Sequence, residues 1–297
     1  MKKQVIFKGV GTALVTPFKD GEIDYEALDR LIDFQISSGV EALIIGGTTA
    51  EAATLDDSER YALYTHANEK CDSRTKLIFG TGTNDTKAAL RHTRFAEDLG
   101  CDGVLLVTPY YNKGTEEGVY RHYMTLAEST KLPMILYNVP SRTGVNLGIN
   151  LLSRLAEAEN IVAIKEAGDS TDRLVALSRL EGLGVYSGND TQIYPTLALG
   201  GLGVISVVSN ILPVATAEIC KQYFTNNFSA SLDMQRRLFP FIKALFAETN
   251  PAPIKYIMST RGMISGELRL PLAEVRESTK ELLTEEFGAL LQSGITE

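Results

Sequence analysis

Three patterns in this 297-residue sequence predict an α/β fold, a (β/α)8 TIM barrel with a C-terminal helical extension. Short apolar segments rich in β-branched residues recur roughly every 20–35 residues, which is the length of one β/α unit. Amphipathic segments with helical spacing lie between them. Strands that are apolar on both faces and alternate with helices form a parallel sheet covered by helices. Eight such units close naturally into a barrel.

The order of the segments follows this scheme from end to end. The strand pattern covers residues 11–16, 42–46, 77–82, 103–108, 134–139, 161–166, 185–188 and 204–208. Helical spacing covers 24–38, 56–71, 85–99 and 115–130, each beginning at or near a residue suited to cap a helix. We expect a barrel over residues 1–225, with its active site at the carboxyl ends of the strands. Residues 226–297 are helical in pattern, with a helix start at Pro253, and form the extension.

Composition and charge exclude several classes of protein. The net charge of −8 argues against a nucleic acid as partner, because phosphate binding requires a basic surface. No apolar run approaches the roughly 20 residues of a membrane span, and Lys8 interrupts the only stretch resembling a signal peptide. The three cysteines are widely spaced, which indicates neither a disulfide framework nor a CxxC site and favours the cytoplasm.

Motifs for other chemistries are missing from the sequence. It contains no P-loop, no GxSxG elbow and no GxGxxG, the last of which usually follows the first strand of a doubly wound sheet, the alternative fold. Its three histidines lie in predicted helices and form no HExxH pair, so a catalytic zinc is not expected. The acidic residues form no cluster at one end of the predicted barrel, so a magnesium site has no basis either.

Lys165 is the first candidate catalytic residue, because it ends an apolar strand segment. Burial of an ammonium group lowers its pKa and makes the neutral nucleophilic amine accessible, which is what a Schiff-base lysine needs. Side chains alternate along a strand, so Ala163 shares its face. If the neighbouring strand also points inward, Tyr137 lies level with the amine and could transfer protons. The alternatives are a structural lysine paired with Glu166 or Asp169, and a tyrosine that only fills the core.

Other predicted strand ends carry groups that could bind a substrate. The turn containing Thr48 and Thr49 offers N–H groups and hydroxyls that suit a carboxylate, or it merely caps the next helix. Arg142 could bind a second carboxylate through its forked guanidinium, or form a surface ion pair. The tandem Tyr110-Tyr111 is either a lid or a subunit contact, since two exposed aromatic rings are unusual on a monomer.

These motifs resemble the dihydrodipicolinate synthase (4-hydroxy-tetrahydrodipicolinate synthase) family, within the pyruvate-dependent class I aldolases and lyases. The similarity runs from Phe7 to Lys255 and is most specific in residues 137–144, Tyr-Asn-Val-Pro-Ser-Arg-Thr-Gly. Arg142 is informative, because the related N-acetylneuraminate lyases resemble this family around the tyrosine and the lysine but typically lack the arginine.

The resemblance implies a reaction path. Lys165 would form a Schiff base with pyruvate, and no metal or organic cofactor would be needed because the protonated imine is the electron sink. Tyr137 would be the proton relay, with Thr49 between it and Tyr111. In the family, Tyr111 reaches into the site of the neighbouring subunit, which implies a homo-oligomer, either a dimer or a tetramer built as a dimer of dimers.

The resemblance also implies the substrate contacts. Thr48 and Thr49 would hold the pyruvate carboxylate, and Arg142 would bind the carboxylate of aspartate semialdehyde. Gly188 and Ile205 would line the site near the lysine. The product would be 4-hydroxy-tetrahydrodipicolinate, on the diaminopimelate route to lysine. The alternatives are a related aldolase acting on N-acetylneuraminate or a 2-keto-3-deoxy sugar acid, and a non-catalytic barrel that binds carboxylates.

The sequence departs from the family in two places. Ala50 stands where the family usually has glycine, and it would be strained by roughly 1 kcal/mol if the turn required a positive φ. Asp57, Arg60 and Ala88 stand where lysine-inhibited members typically carry histidines and a glutamate. Loss of the acidic group at position 88 removes the partner of a ligand amine, so inhibition by lysine is expected to be weak or absent.

Overall fold

In the computed structural model, which describes residues 3–296, parallel strands close into a barrel surrounded by helices. The strands of the described residues are β1 (Gly9–Ala13), β2 (Phe18–Lys19), β3 (Glu22–Ile23), β4 (Ala42–Ile45), β5 (Lys76–Gly80), β6 (Gly103–Val107), β7 (Met134–Asn138), β8 (Ile161–Glu166), β9 (Gly184–Ser187) and β10 (Gly203–Ser206). Strands β4 to β10 follow one another around the barrel, and β1 closes it between β10 and β4. The predicted barrel is confirmed, and the alternative of an open doubly wound sheet is wrong.

Helices follow the barrel strands and form the outer layer. Over the same residues they are α1 (Tyr25–Ser37), α2 (Asp57–Cys71), α3 (Thr86–Asp98), α4 (Glu116–Ser129), α5 (Pro140–Thr143), α6 (Ile149–Leu155), α7 (Thr171–Ser178), α8 (Ile193–Ala198), α9 (Pro213–Phe224), α10 (Phe228–Leu245), α11 (Ala252–Thr260) and α12 (Glu277–Gln292). The predicted starts of the first four helices are confirmed. The side chain that precedes each helix accepts a hydrogen bond from a backbone N–H of the first turn; these residues are Asp24, Asp56, Asp85 and Thr115.

The apolar residues form two layers. Inside the barrel, side chains from successive strands fill the axis, among them Ile44, Ile135 and Ala163. A larger cluster lies between the outer faces of the strands and the helices, and includes Leu43, Leu106 and other fully buried aliphatic residues. Each such side chain contributes roughly 1.5–3 kcal/mol by leaving water. The two layers fix the strand ends, and with them the positions of the polar residues that follow.

The sequence misplaced some boundaries and missed short elements. The first strand is Gly9–Ala13 rather than 11–16, and α11 begins at Ala252, one residue before the predicted start. The β2–β3 hairpin was not predicted, because two-residue strands are too short to show a period.

The C-terminal helices pack back onto the barrel. Helix α10 lies against α9, and α12 lies against α10. Helix α11, between α10 and α12 in the chain, reaches the carboxyl ends of the strands, where Lys255 forms an ion pair with Glu51. Among residues 3–296, no helix combines the length and apolar character required to cross a membrane.

Candidate active site at the carboxyl ends of the strands

A cavity of about 490 Å³ opens at the carboxyl ends of the barrel strands, where the sequence predicted a site. Its walls come from the loops after β4, β5 and β7 and from the segment between α10 and α11. The polar residues that line it include Thr48, Arg60, Tyr110, Tyr137, Arg142 and Asn250. The cavity therefore gathers groups from several strand ends and one group from the C-terminal helices.

Lys165 and Tyr137 lie side by side on neighbouring strands. They are direct partners in the register of β7 and β8, as the alternation of side chains predicted. Lys165 is 5% exposed, and its Nζ lies 4.3 Å from the centroid of the Tyr137 ring. Ala163 shares the inner face below the amine. The aromatic face stabilises the ammonium without fixing it to a carboxylate.

The proposed ion pair of Lys165 with Glu166 or Asp169 is wrong. Glu166 points to the other face of β8, where its carboxylate accepts from Arg173 Nε at 2.7 Å and from Asn138 Nδ2 at 2.9 Å. The Asp169 carboxylate instead accepts a bond from a neighbouring asparagine side chain. Within residues 3–296, neither carboxylate lies within ion-pair distance of the Lys165 amine.

A second buried lysine, which the sequence did not single out, shows the contrast. Lys255 is 0% exposed, and its Nζ lies 2.5 Å from Glu51 Oε1. Burial lowers the pKa of Lys255, and the Glu51 carboxylate opposes this effect. The Lys255 amine also lies over the Phe18 ring. This lysine is committed to a structural ion pair, whereas Lys165 has no carboxylate of its own among the described residues.

The segment after β4 begins with a 3-10 helix, Thr48–Ala50, and a second one follows at Ala52–Thr54. Thr48 lines the cavity, while Thr49 is buried and its Oγ1 accepts from Asn250 Nδ2 at 3.0 Å. The turn needs positive φ at Gly46 (70°) and at Glu51 (54°), one residue after Ala50. The strain suggested for Ala50 is therefore absent, because this residue lies inside the helical turn and its carbonyl accepts a bond from a neighbouring threonine.

Arg142 lies on the short helix α5, which begins with Pro140 directly after the loop-facing end of β7. Its side chain is exposed and lines the cavity together with Tyr137. The Arg142 Nη2 group donates to the backbone carbonyl of Asn250 at 2.8 Å. A bond to a backbone carbonyl leaves the positive charge uncompensated, so the guanidinium can still bind an anion. The surface ion pair considered for Arg142 is not formed among residues 3–296.

Comparison with known proteins agrees with this geometry. The family model described as the dihydrodipicolinate synthetase family matches residues 6–290. The chain belongs to this family. It is 47% identical over 284 residues to the 4-hydroxy-tetrahydrodipicolinate synthase of Alkaliphilus oremlandii, covering 95% of this chain and 98% of the relative. It is also 47% identical over 296 residues to that of Thermotoga neapolitana, covering 98% and 100%.

Solved structures of the dihydrodipicolinate synthetase family superpose closely on this chain. The dihydrodipicolinate synthase of Thermotoga maritima has a TM-score of 0.94 and 45% sequence identity, and the match covers 96% of this chain and 99% of that one. The 4-hydroxy-tetrahydrodipicolinate synthase of Methylacidiphilum fumariolicum SolV has a TM-score of 0.95 and 38% identity, with 96% of each chain covered. The family suggested by the sequence motifs is confirmed.

The family resemblance also named Gly188, which contacts the end of β8, and Ile205, which lies two strands away on β10. The backbone N–H of Gly188 donates to the Glu166 carbonyl at 2.6 Å, and a Cβ at Gly188 would lie 2.7 Å from the Cβ of Ala167. Ile205 is buried inside the barrel on β10. A glycine is needed where the chain passes this close to the end of β8.

Asp190 is a buried acidic residue near the lysine, at a predicted strand end, to which the sequence assigned no role. Its Oδ2 accepts from the backbone N–H groups of Val207 and Val208, at 2.9 and 3.1 Å. Burial raises the pKa of the Asp190 carboxyl group above its usual range, against the lowering effect of these bonds and of the Lys165 ammonium. The carboxyl group thereby ties the end of β10 to the loop after β9.

Tyr111 does not join the other family residues within one chain. It lies on the loop after β6 with φ of 68° and is 89% exposed, whereas its neighbour Tyr110 lines the cavity. The expectation that Tyr111 forms a lid or a subunit contact therefore stays a prediction. The structure thus places Tyr137, Thr48 and Arg142 at the cavity and Lys165 against Tyr137, and it leaves Tyr111 away from them.

Asp57 and Arg60, which differ from the residues typical of lysine-inhibited members, already have partners within the chain. Asp57 lies 2.8 Å from His92 Nε2 and 3.5 Å from an Arg91 nitrogen. Arg60 is buried at the side of the cavity, and its Nη2 donates to the Ala52 carbonyl at 2.6 Å. A cationic effector would meet a guanidinium here. Weak or absent inhibition by lysine stays a prediction.

Proposed function

We propose that the chain is a 4-hydroxy-tetrahydrodipicolinate synthase that condenses pyruvate with L-aspartate 4-semialdehyde through an imine on Lys165. The observation that carries the proposal is the buried amine on β8, beside Tyr137 and without a carboxylate partner among the described residues. The shared name of relatives that match nearly the full length supports the same activity.

The proposed reaction begins when Lys165 Nζ attacks the ketone carbon of pyruvate and the oxygen leaves as water. Loss of a methyl proton from the protonated imine gives an enamine. The enamine carbon attacks the aldehyde, the aldehyde oxygen takes up a proton, and the substrate amine then closes the ring by displacing Lys165. The protonated imine accepts the electron pair at each stage, so the proposed reaction uses no metal or organic cofactor. Residues 3–296 contain no cluster of three histidine, cysteine or acidic side chains that could hold a metal ion.

Tyr137 is the proposed proton donor and acceptor, because it lies against the amine and lines the cavity. The sequence motifs suggested Thr49 as its partner. The positions of the two hydroxyls favour Thr48 for this relay, since Thr48 lines the cavity while Thr49 is turned toward Asn250. Thr49 remains the proposed ligand of the pyruvate carboxylate together with backbone N–H groups of the same turn, because its oxygen only accepts from Asn250 and its own O–H stays free to donate.

Arg142 supports the synthase over a sugar-acid aldolase. Its charge is uncompensated among the described residues and faces the cavity beside Tyr137, which suits a short aldehyde that carries a carboxylate. Gly188 follows the end of β9, the strand next to β8, and Ile205 lies on β10, one strand further on; both are proposed to shape the pyruvate end of the site. A barrel that only binds carboxylates would not require a lysine and a tyrosine in register.

The proposed working unit is a homo-oligomer, a dimer or a tetramer, in which Tyr111 enters the site of a second copy. Its outward position supports this role. The proposal keeps residues 1–225 as the barrel unit and 226–297 as the extension, because α9 ends at Phe224 and α10 begins at Phe228. A cytoplasmic setting is also proposed, supported by three free cysteines that are all buried.

Reduction with borohydride in the presence of pyruvate tests the central step. We expect mass spectrometry to find one reduced pyruvate adduct, located on Lys165. Lys165→Arg should give no adduct, whereas Lys221→Arg, which changes an exposed lysine on α9, should give the wild-type result. Wild-type protein without an adduct at Lys165 would exclude the proposed imine.

A further inference from the structure

Asn250 contacts both elements that are proposed to bind substrate carboxylates. It lies in the segment between α10 and α11, lines the cavity and is 5% exposed. Its side-chain Nδ2 donates to Thr49 Oγ1 at 3.0 Å, and its backbone carbonyl accepts from Arg142 Nη2 at 2.8 Å. One residue of the C-terminal extension therefore connects the turn after β4 to the helix after β7.

The backbone around Asn250 is held firmly against that turn. Five residues further on, Lys255 forms its buried ion pair with Glu51, which ends the turn that contains Thr49. The backbone N–H of Arg269 donates to the other oxygen of Glu51 at 3.0 Å. These contacts hold the extension at a fixed distance from the turn, so Asn250 cannot drift away without breaking a buried ion pair.

The direction of the two bonds matters for binding an anion. Asn250 occupies a lone pair of the Thr49 hydroxyl, which leaves the Thr49 O–H free to donate. The bond from Arg142 uses one guanidinium N–H and leaves the others for a ligand. Asn250 Oδ1 is buried and has no hydrogen-bond partner within residues 3–296. Burial of an unpaired oxygen is unfavourable, and such groups in native proteins call for a functional explanation.

We propose that Asn250 is a positioning residue that turns the Thr49 hydroxyl toward the pyruvate carboxylate and holds Arg142 at the aldehyde end of the cavity. This inference rests on the proposed function. It assigns to the C-terminal extension a direct part in substrate binding, through the side chain for pyruvate and through the backbone for the aldehyde. The two substrates should therefore respond differently to changes of the side chain.

Steady-state kinetics of side-chain variants test this difference. Asn250→Ala removes the donor to Thr49 but keeps the carbonyl that binds Arg142, so KM for pyruvate should rise roughly three- to tenfold. KM for the aldehyde should change less than about twofold, because its backbone anchor remains. Asn250→Asp should raise KM for pyruvate further, since a carboxylate at this place draws the Thr49 O–H away from the substrate and repels its charge.

Asn160→Ala serves as a matched control. Asn160 directly precedes β8, at the end of the barrel away from the cavity. Its side chain donates to the backbone carbonyls of Ala127 and Thr130 at the end of α4. Its loss should lower the melting temperature and leave both KM values unchanged. If Asn250→Ala lowered the melting temperature in the same way without raising KM for pyruvate, Asn250 would be a structural residue only.

A double-mutant cycle with Thr49→Val identifies the route of the effect. If Asn250 acts through the Thr49 hydroxyl, Asn250→Ala should change KM for pyruvate less than about 1.5-fold in the Thr49→Val background. Multiplication of the two single effects would overturn the inference. Borohydride trapping separates this failure from that of the proposed function, because Asn250→Ala should still form the Lys165 adduct. Loss of the adduct in the wild-type protein would instead remove the proposed function.

Discussion

Lys165 and Lys255 are both buried, and the neighbours of each amine decide what it can do. Lys255 is bound to Glu51 and lies over an aromatic ring. Removal of one member of a buried pair costs about 3–5 kcal/mol, which suits a permanent structural contact. Lys165 meets the face of Tyr137 instead. Its amine is buried and forms no ion pair among the described residues, which leaves it available for the proposed imine.

Replacement of Arg142 is expected to affect the reactions of the two substrates differently. Arg142→Ala removes the cation at the aldehyde end but leaves Lys165 and the turn after β4 unchanged. A charged hydrogen bond contributes about 1.5–3 kcal/mol, so kcat/KM for aspartate semialdehyde should fall roughly 10- to 150-fold. Trapping of pyruvate on Lys165 should continue at the wild-type rate. Stopped-flow and trapping experiments measure the two steps separately.

The conservative variant sharpens this test. Arg142→Lys keeps the charge but loses the forked geometry, so it should recover only part of the activity of the wild-type protein. Unchanged kinetics toward the aldehyde in Arg142→Ala would remove Arg142 from the substrate site. Faster cleavage of a sugar acid than condensation of the semialdehyde by the wild-type protein would favour the aldolase alternative.

The sequence predicted correctly the positions of residues that belong to a regular local pattern. The alternation of side chains along a strand was enough to put Ala163 below Lys165 and Tyr137 beside it. Asn250 and Lys255 were missed because their partners are 201 and 204 residues away along the chain. No periodic pattern connects such distant positions, and a single asparagine in a loop or a single lysine on a helix gives no signal by itself.

At the scale of elements, capping residues and loop geometry position the site. Four helices begin where aspartate or threonine caps them, so the sequence predicted these boundaries closely. The 3-10 turn at Thr48–Ala50 and the short helix α5 carry proposed binding groups, yet neither is long enough to show a helical period. The strand ends were therefore predictable, whereas the local shape of the loops depended on distant contacts.

His122, at the contact between α3 and α4, is expected to make the stability of the fold depend on pH. His122 on α4 is buried, its Nδ1 lies 2.9 Å from Thr86 Oγ1, and its Nε2 has no partner within residues 3–296. Burial lowers the pKa of His122 from 6.5 to about 4, although Asp85 opposes the shift. At a pH between these two pKa values, the imidazole therefore binds a proton in the unfolded chain but not in the folded chain. Stability from this group is complete above about pH 6.5 and is lost as the pH falls toward 4.

The prediction can be tested by urea unfolding at two pH values. Between about pH 7 and 5.5 the His122 imidazole should account for a loss of about 1 kcal/mol in the free energy of unfolding. His122→Gln should show a correspondingly smaller loss over the same interval, whatever its stability at pH 7. Equal losses in both proteins would mean that His122 is protonated as easily in the folded chain as in the unfolded chain.

At the scale of the whole molecule, the barrel is complete in one chain but the proposed proton path is not. Strand order, register and packing place Tyr137 and Arg142 at one cavity, with Lys165 directly behind the Tyr137 ring. Tyr111 points outward on an exposed loop. The sequence could predict this fold from its eight β/α units, since each unit is a local pattern. It could not show by itself where Tyr111 acts, because the proposed role of Tyr111 depends on a second chain.

Hybrid oligomers test whether Tyr111 serves a second copy. Tyr111→Phe and Lys165→Arg should each be nearly inactive as homo-oligomers. In a two-fold symmetric hybrid, the Lys165 of one chain meets the intact Tyr111 of the other, so one site per dimer is restored. Random association of equal amounts should recover roughly a quarter of the wild-type activity. The measurement is kcat after both variants are mixed under dissociating conditions and reassembled.

A second mixture of variants serves as the control. When Lys165→Arg is mixed with a chain that carries both substitutions, no site contains Lys165, and activity should stay at the background level. If the first mixture also stayed at background, with hybrids confirmed by native mass spectrometry, Tyr111 would act only within its own chain. That result would require the loop after β6 to fold inward toward Tyr137, a movement that the exposed position of Tyr111 in the single chain does not favour.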